Sequence, residues 1–192
     1  AVRTLVEAAP AQGVRVLTLY AFSSDNWRRP AGEVRRLMAL FASALRRETT
    51  SCVANGVRLK VIGRRDRLPP MLVRAIVEGE RATAGGQVLD LRVAVDYSAR
   101  DVIARAAKSG GSDFAVALAA AQHDPDPVPA VDLLIRTGGE QRLSDFLLWE
   151  CAYAELHFTP VLWPDFSAAD LEDALTEFRR RDRRFGGVPK SA

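Results

Sequence analysis

The segment RTGGEQRLSDF (136–146) concentrates residues that bind anions. Arg136 leaves an apolar run, Gly138-Gly139 let the backbone turn tightly, and Arg142 and Ser144 follow at the expected mouth of a helix. Two guanidiniums, a hydroxyl and the free N–H groups of a helix N-terminus would cradle a diphosphate. The alternative is a surface loop whose arginines pair with Glu140 and Asp145. A second cluster is YAFSSDNWRRPAGEV (20–34). Ser23, Ser24, Asp25 and Asn26 supply hydrogen-bonding groups, Trp27 an aromatic wall, Arg29 a charge, and Glu33 a carboxylate able to fold back. Its alternative is an ordinary loop and helix cap, with Glu33 favoured by the helix dipole. Third comes Glu155 in YAELHF, a lone acid among apolar neighbours. Burial penalises such a carboxylate unless it is paired or holds a metal, so a metal role and a salt bridge to one of the many arginines both satisfy it. His157 faces the same side, yet one Glu and one His do not make a metal site. His123 lies in the Pro-rich HDPDPVPA and is expected at the surface.

Other chemistries find little support. Neither GxGxxG nor GxxxxGK[ST] occurs, which disfavours those two modes of nucleotide binding. The two histidines lack a nucleophile context for a Ser/His/Asp triad. Cys52 and Cys151 fit no metal spacing and read as buried thiols. The basic run RRRDRRF (179–185) suits a helix C-terminus, where cations meet the dipole, and it lacks the interleaved aromatics of a nucleic-acid-binding module.

The elements that must position these residues alternate between strand and helix. Short apolar, β-rich runs at 14–22, 57–63, 89–98, 131–139 and AELHF read as buried strands. Between them, Val34, Leu37, Met38, Phe41 and Leu45 recur with helical spacing, ending near Asn55-Gly56. Pro69-Pro70 opens a helix, residues 99–122 form an Ala-rich helix broken at Ser109–Ser112, and LSDFLLWECAYA is expected to be helical. Ser167 and Asp170 cap the last helix. Connections of this length make crossovers, so the fold class is α/β, a mostly parallel central sheet flanked by helices on both faces. In such sheets ligands bind beyond the strands' carboxyl ends, where the first two clusters fall.

At 192 residues the chain fits one domain, 1–192, able to bury roughly 70% of its unfolded surface. The charge is 27 − 24 = +3, too small a balance to imply nucleic acid as a partner. Nearly all the cations are Arg, with Lys only at 60, 108 and 190, which suits phosphate or carboxylate partners but equally a general Arg bias. No apolar run approaches the ~20 residues of a membrane span, and no signal peptide opens the chain, so a soluble, cytoplasmic protein is expected.

Three blocks, LTLYAFSSDNWRRPAGEV, VDLLIRTGGEQRLSDFLLWECAYAELHFTPVLWPDF and RDRRFGG, closely resemble the cis-prenyltransferases of the undecaprenyl diphosphate synthase family. The resemblance implies a parallel-sheet α/β homodimer that adds isopentenyl diphosphate to an allylic diphosphate such as farnesyl diphosphate, with Mg2+ assisting pyrophosphate departure. It implies that Arg136, Arg142 and Ser144 hold the diphosphate of isopentenyl diphosphate, and that Glu155 is associated with magnesium. Ser23, Asn26, Trp27 and Arg29 match the loop beside the reacting carbons, with Asn26 and Arg29 catalytic, Arg29 near the allylic diphosphate, and Glu33 ordering the loop. Arg184-Phe185-Gly186-Gly187 resembles a tail motif used near the subunit interface. Ala21, Leu37, Phe41 and Leu89 would line a tunnel for the growing chain, small Ala21 favouring a longer product. A lipid product implies peripheral membrane association.

Two departures accompany the resemblance. The family's H-x-x-x-D-G-N-x-R-W-A block, with its catalytic aspartate, is absent, and residue 1 is Ala rather than Met, so a preceding segment is expected. Asp96, Ser98 and Ala99 stand where the family usually has Asn and two glycines around Tyr97 and Arg100. The missing block motivates a second hypothesis, a non-catalytic partner subunit; a short-chain cis-prenyl diphosphate synthase is a third.

Overall fold

The computed structural model describes residues 1–110, 112–124, 126–127 and 129–181. Among these residues five strands, β1 (Val16–Ser23), β2 (Val57–Ile62), β3 (Leu89–Tyr97), β4 (Leu133–Arg136) and β5 (Glu155–Phe158), all pair in parallel. They form two sheets, one of order β1-β3-β2 and one of β4-β5. The expected parallel α/β architecture holds, divided into two ribbons among the described residues. Strand β3 is central, with Val93 opposite both Leu19 and Val61.

Among the described residues six α-helices flank the sheets: α1 (Val2–Ala8), α2 (Ala31–Ala54), α3 (Pro70–Thr83), α4 (Ala99–Lys108), α5 (Phe114–Ala121) and α6 (Ala168–Arg180). Side chains alternate along a strand. Accordingly Val93 and Val95 pack with Met38 and Ile76 of α2 and α3, and Leu91 with Leu171 of α6. Ala94 and Ile62 meet Val102 and Leu118 of α4 and α5 on the other face. Helix α2 starts at Ala31, two residues ahead of Glu33, because Pro30 needs no N–H at a helix entrance. It ends at Asn55, and Gly56 takes a positive φ of 65°, as the Asn-Gly pair predicts. The break after α4 is also found, with Asp113 accepting from Ala115 and Val116 N–H to cap α5. The cap at Ser167 and Asp170 forms as a reciprocal box.

One expected helix does not form. LSDFLLWECAYA runs as consecutive turns, with φ of 51° at Ser144, 61° at Asp145 and 47° at Leu147. No right-handed helix accommodates such angles. Tertiary contacts override the local preference, since Leu147 is buried to 2% exposure and Asp145 is bound by another helix.

Candidate active site

The carboxyl end of β4 carries the first cluster. Arg136 is its last residue, and Gly138 and Gly139 follow with φ of 83° and 75°. Their N–H groups donate to Val161 O (2.8 Å) and Thr159 O (2.9 Å), so this turn is stitched to the chain leaving β5. With those N–H groups engaged and no helix after Ser144, the expected ring of free backbone donors is not there. Anion binding falls instead to side chains. Arg136 Nε is buried without a hydrogen-bond partner. The Arg142 guanidinium is 63% exposed and pairs with Glu140, so that part of the surface-loop alternative is realised. Asp145 is otherwise engaged: its carboxylate accepts from Ser98 Oγ and from the Arg100 N–H (2.9 Å), and its carbonyl from the Ala99 N–H (3.0 Å). A carboxylate at the N-terminus of α4 is where the helix dipole favours one. Beneath the loop, Tyr20 stacks on Phe146 at 4.4 Å, and its hydroxyl lies 3.3 Å from both Ser144 O and Tyr97 O. Burial pushes the Tyr20 hydroxyl up to about 12, so it remains a neutral donor.

The carboxyl end of β1 carries the second cluster. Register slips between Tyr20 and Ser23 turn the strand into a single 3-10 stretch, Ser24–Arg28. Asn26 Oδ1 accepts from the Ser23 N–H (2.9 Å) while the Ser23 side chain receives the Asn26 N–H, a closed cap. Arg29 pairs with Glu33 at 2.9 Å on the first turn of α2, both half exposed. Trp27 packs edge-on against Phe22, with centroids 5.4 Å apart. The cap-and-loop alternative thus describes the present contacts of Asn26, Arg29 and Glu33.

Between the two sheets lies a cavity of about 1010 Å³. Tyr20, Ala21, Arg136 and Arg142 stand on its wall, and Leu17, Leu19, Phe41, Leu45 and Val93 make much of the remainder apolar. Of the expected tunnel residues, Ala21 and Phe41 line it, whereas Leu89 is packed into the core and Leu37 rests against it. Ser23, Asn26, Trp27 and Arg29 do not reach this wall. Ser144 is exposed, its carbonyl turned to Tyr20.

Glu155 is not brought to the arginines. It opens β5 opposite Leu133, while Arg136 sits opposite Phe158, three residues or about 10 Å further along. Its carboxylate receives Arg181 Nη1 at 2.8 Å, and Arg181 also binds Glu177, whose other oxygen lies 2.8 Å from His157 Nδ1. This is the salt-bridge alternative. Among the described residues no group of three His, Cys, Asp or Glu side chains could hold a metal. Glu155 as placed is held by Arg181, and no chemical step is assigned through it. Arg184-Phe185-Gly186-Gly187 lies outside the described residues.

Residues that meet around the two loops without announcing themselves in the sequence are Tyr20, Ser98, Asp145, Asp96 and Arg67. Spacing does not reveal them, because their partners lie far along the chain; the only local signal was the departure at Asp96 and Ser98. Asp96 is fully buried and paired to Arg67. Not every arginine serves the site. Arg92 is 2% exposed and paired with Asp124 at 2.8 Å, Lys60 reaches the same carboxylate at 2.6 Å, and Arg58 grips Asp90 with two bonds. Burying ions costs several kcal/mol each unless they are paired, which accounts for Asp124.

Comparison with known proteins places the chain in a family. The family model for undecaprenyl diphosphate synthase matches residues 1–186. Isoprenyl transferase 1 of Bradyrhizobium diazoefficiens is 56% identical over 190 residues, covering 97% of this chain and 77% of that protein. The farnesyl-diphosphate-specific ditrans,polycis-undecaprenyl-diphosphate synthase of Pseudomonas aeruginosa is 47% identical over 196 residues, covering 97% and 78%. In three dimensions, the Campylobacter jejuni protein assigned as an undecaprenyl diphosphate synthase superposes with a TM-score of 0.85 at 34% identity, covering 96% of this chain and 89% of that one. The chain belongs to the undecaprenyl diphosphate synthase family, the cis-prenyltransferases.

Proposed function

We propose that this protein condenses isopentenyl diphosphate with an allylic diphosphate, farnesyl diphosphate being the expected primer, to give a cis-polyprenyl diphosphate. One observation carries the reading: two arginines, one with a buried unpaired Nε, stand on the wall of a largely apolar cavity between parallel sheets. Arg136 and Arg142 suit the diphosphate of isopentenyl diphosphate, which two planar forks grip better than point charges would. To engage it Arg142 exchanges its exposed partner Glu140 for phosphate, an inexpensive step because an exposed ion pair is worth only ~0–1 kcal/mol. In the reaction the allylic C–O bond breaks and pyrophosphate leaves. The isopentenyl double bond attacks the resulting cationic carbon, and a proton is lost. Apolar walls of Leu17, Leu19, Phe41 and Leu45 keep water from that carbon and accept the hydrocarbon. Arg29, one ion pair away from being free, suits the allylic diphosphate.

A homodimer completes the reading. Trp149, Tyr153 and Leu156, 54%, 72% and 37% exposed, stand near β5 and supply apolar surface for a second copy. Among the described residues no helix is long and apolar enough to cross a membrane, so contact with lipid would come through the product. The test supplies isopentenyl diphosphate, farnesyl diphosphate and Mg2+ to the native-length protein and sizes the products. Elongation to a cis-polyprenyl diphosphate is expected; no elongation and no diphosphate binding would overturn the assignment.

A further inference from the structure

Asp96, one residue before the end of the central strand, makes an arrangement that the reading so far does not use. Its side chain is fully buried, at 0% exposure, and its backbone is held at φ 52°. Three donors converge on the carboxylate: Ser24 Oγ at 3.0 Å, Arg67 Nε at 2.9 Å, and Arg67 Nη2 in a shorter contact. Ser24 belongs to the loop after β1, whereas Arg67 comes from the segment between β2 and α3. Arg67 also reaches the loop itself, its Cζ lying 5.6 Å from the Trp27 ring centroid. One buried carboxylate thereby ties down both the start of the loop, through Ser24, and its aromatic residue, through Arg67. The segment carrying Arg67 is itself fixed to β3, because Arg64 N–H donates to the Asp96 carbonyl at 3.1 Å. Gly63 approaches so closely that a Cβ there would meet Val95 O at 2.2 Å.

We infer that Asp96 and Arg67 are positioning residues, a brace that sets where the loop carrying Trp27 and Arg29 stands beyond β1. The inference rests on the proposed prenyl transfer for its catalytic consequence. The chemistry is specific to this acid. A carboxylate accepts a guanidinium fork on one side and a hydroxyl besides. An asparagine would turn an NH2 donor toward the Arg67 donors and lose one arm of the fork. Arg67 in turn supplies the charge without which a fully buried carboxylate is costly.

The experiment uses the native-length protein with Asp96→Asn, Arg67→Lys and Ser24→Ala, each made also in a background in which every tryptophan but Trp27, Trp149 and Trp163 included, is replaced by Phe, so that emission reports Trp27 alone. Turnover, KM for each diphosphate, Tm and emission are measured. A displaced catalytic loop costs about 10²-fold in turnover, which is expected for Asp96→Asn and Arg67→Lys, with KM for isopentenyl diphosphate unchanged because Arg136 and Arg142 are held elsewhere. Ser24→Ala, which removes one hydrogen bond, is expected to lose about 3- to 10-fold. Trp27 emission should shift in Asp96→Asn and Arg67→Lys. Unchanged turnover and unchanged emission in folded variants overturn the brace, as does a loss spread equally over both KM values and turnover. If Asp96→Asn does not fold, Arg67→Lys and Ser24→Ala decide by the same readouts. Should the wild type fail to elongate, the proposed function falls, while Trp27 emission still decides the brace.

Discussion

The loops after β1 and β4 both leave parallel strands at their carboxyl ends, yet they are held in opposite ways. The β1 loop satisfies itself. Ser23 and Asn26 close a cap on each other, Arg29 pairs with Glu33 four residues on, and only Ser24 and Trp27 reach outward, to Asp96 and Arg67. The β4 loop is held mainly by others. Gly138 and Gly139 are bonded to the chain after β5, Tyr20 lies under Ser144 and Phe146, and Asp145 is gripped at the start of α4. The difference bears on function. External anchors leave the buried Arg136 Nε unpaired on the cavity wall, whereas Arg142, like Arg29 on the self-capped loop, offers its charge only after an exposed ion pair opens. On the proposed reading, Arg136 makes the β4 loop the more preorganised anion site, and the β1 loop is one that rearranges on binding.

The largest test of that contrast is Arg142→Ala. Truncating a charged contact to phosphate costs ~2–5 kcal/mol, which converts to a rise of at least about 30-fold in the KM for isopentenyl diphosphate. The KM for the allylic substrate should move little. Steady-state kinetics with each substrate varied in turn would show it, and equal changes in both would erase the division between the loops.

Next comes Asp145→Ala, which removes the anchor and leaves every guanidinium in place. The carboxylate accepts two hydrogen bonds, one of them from a helix N-terminus, so the loss is about 2–3 kcal/mol. For a chain of this size that lowers Tm by roughly 4–12 °C. A rise in the isopentenyl diphosphate KM should accompany it, since the arginines would then be carried on an unfixed loop. Full thermal stability in the variant would show that Asp145 is not what fixes the turns.

Asp145 also marks where sequence reasoning stopped. The arginines, serines and Trp27 were legible because their types and spacing are local, as were α2 from its apolar period and α6 from its cap. LSDFLLWECAYA was not, since Phe146, Leu147, Leu148 and Cys151 satisfy a helical count equally well. What forbids the helix is the capture of Asp145 by Ser98 and Arg100, which lie 45 or more positions away. The Asp96–Arg67 pair spans 29 positions and was hidden for the same reason, although the unusual acid was visible. Glu155 shows the converse. Its need for a partner was legible, but only the parallel register put Arg181, and not Arg136 or Arg142, beside it.

On the β1 side, Asn26→Ala opens the cap while leaving Asp96 and Arg67 intact. Losing the hydrogen bond that Asn26 accepts from the Ser23 N–H costs ~1 kcal/mol, so Tm should fall by roughly 2–4 °C. Asn26→Asp keeps an acceptor for the Ser23 N–H and should recover that loss. If Asn26 also acts on the reacting carbons, turnover will stay low in the Asp variant although stability returns. The pair of variants thus separates a cap from a catalytic group, which the resemblance alone does not.

The smallest effect is the sharpest on the difference between the loops. Glu140→Gln removes the carboxylate that occupies Arg142 and keeps the side chain's size. An exposed pair of this kind is worth at most ~1 kcal/mol, so the KM for isopentenyl diphosphate should fall by only about 2- to 5-fold, and the gain should shrink in high salt. Glu33→Gln, the matching change on the β1 loop, frees Arg29 but also removes an acid from the first turn of α2, where the helix dipole favours it. Its benefit to the allylic KM should therefore be offset by a slightly less stable helix start. If Glu33→Gln improved binding as much as Glu140→Gln and left Tm unchanged, Glu33 would be no part of the loop's own support. The two loops would then be equally preorganised.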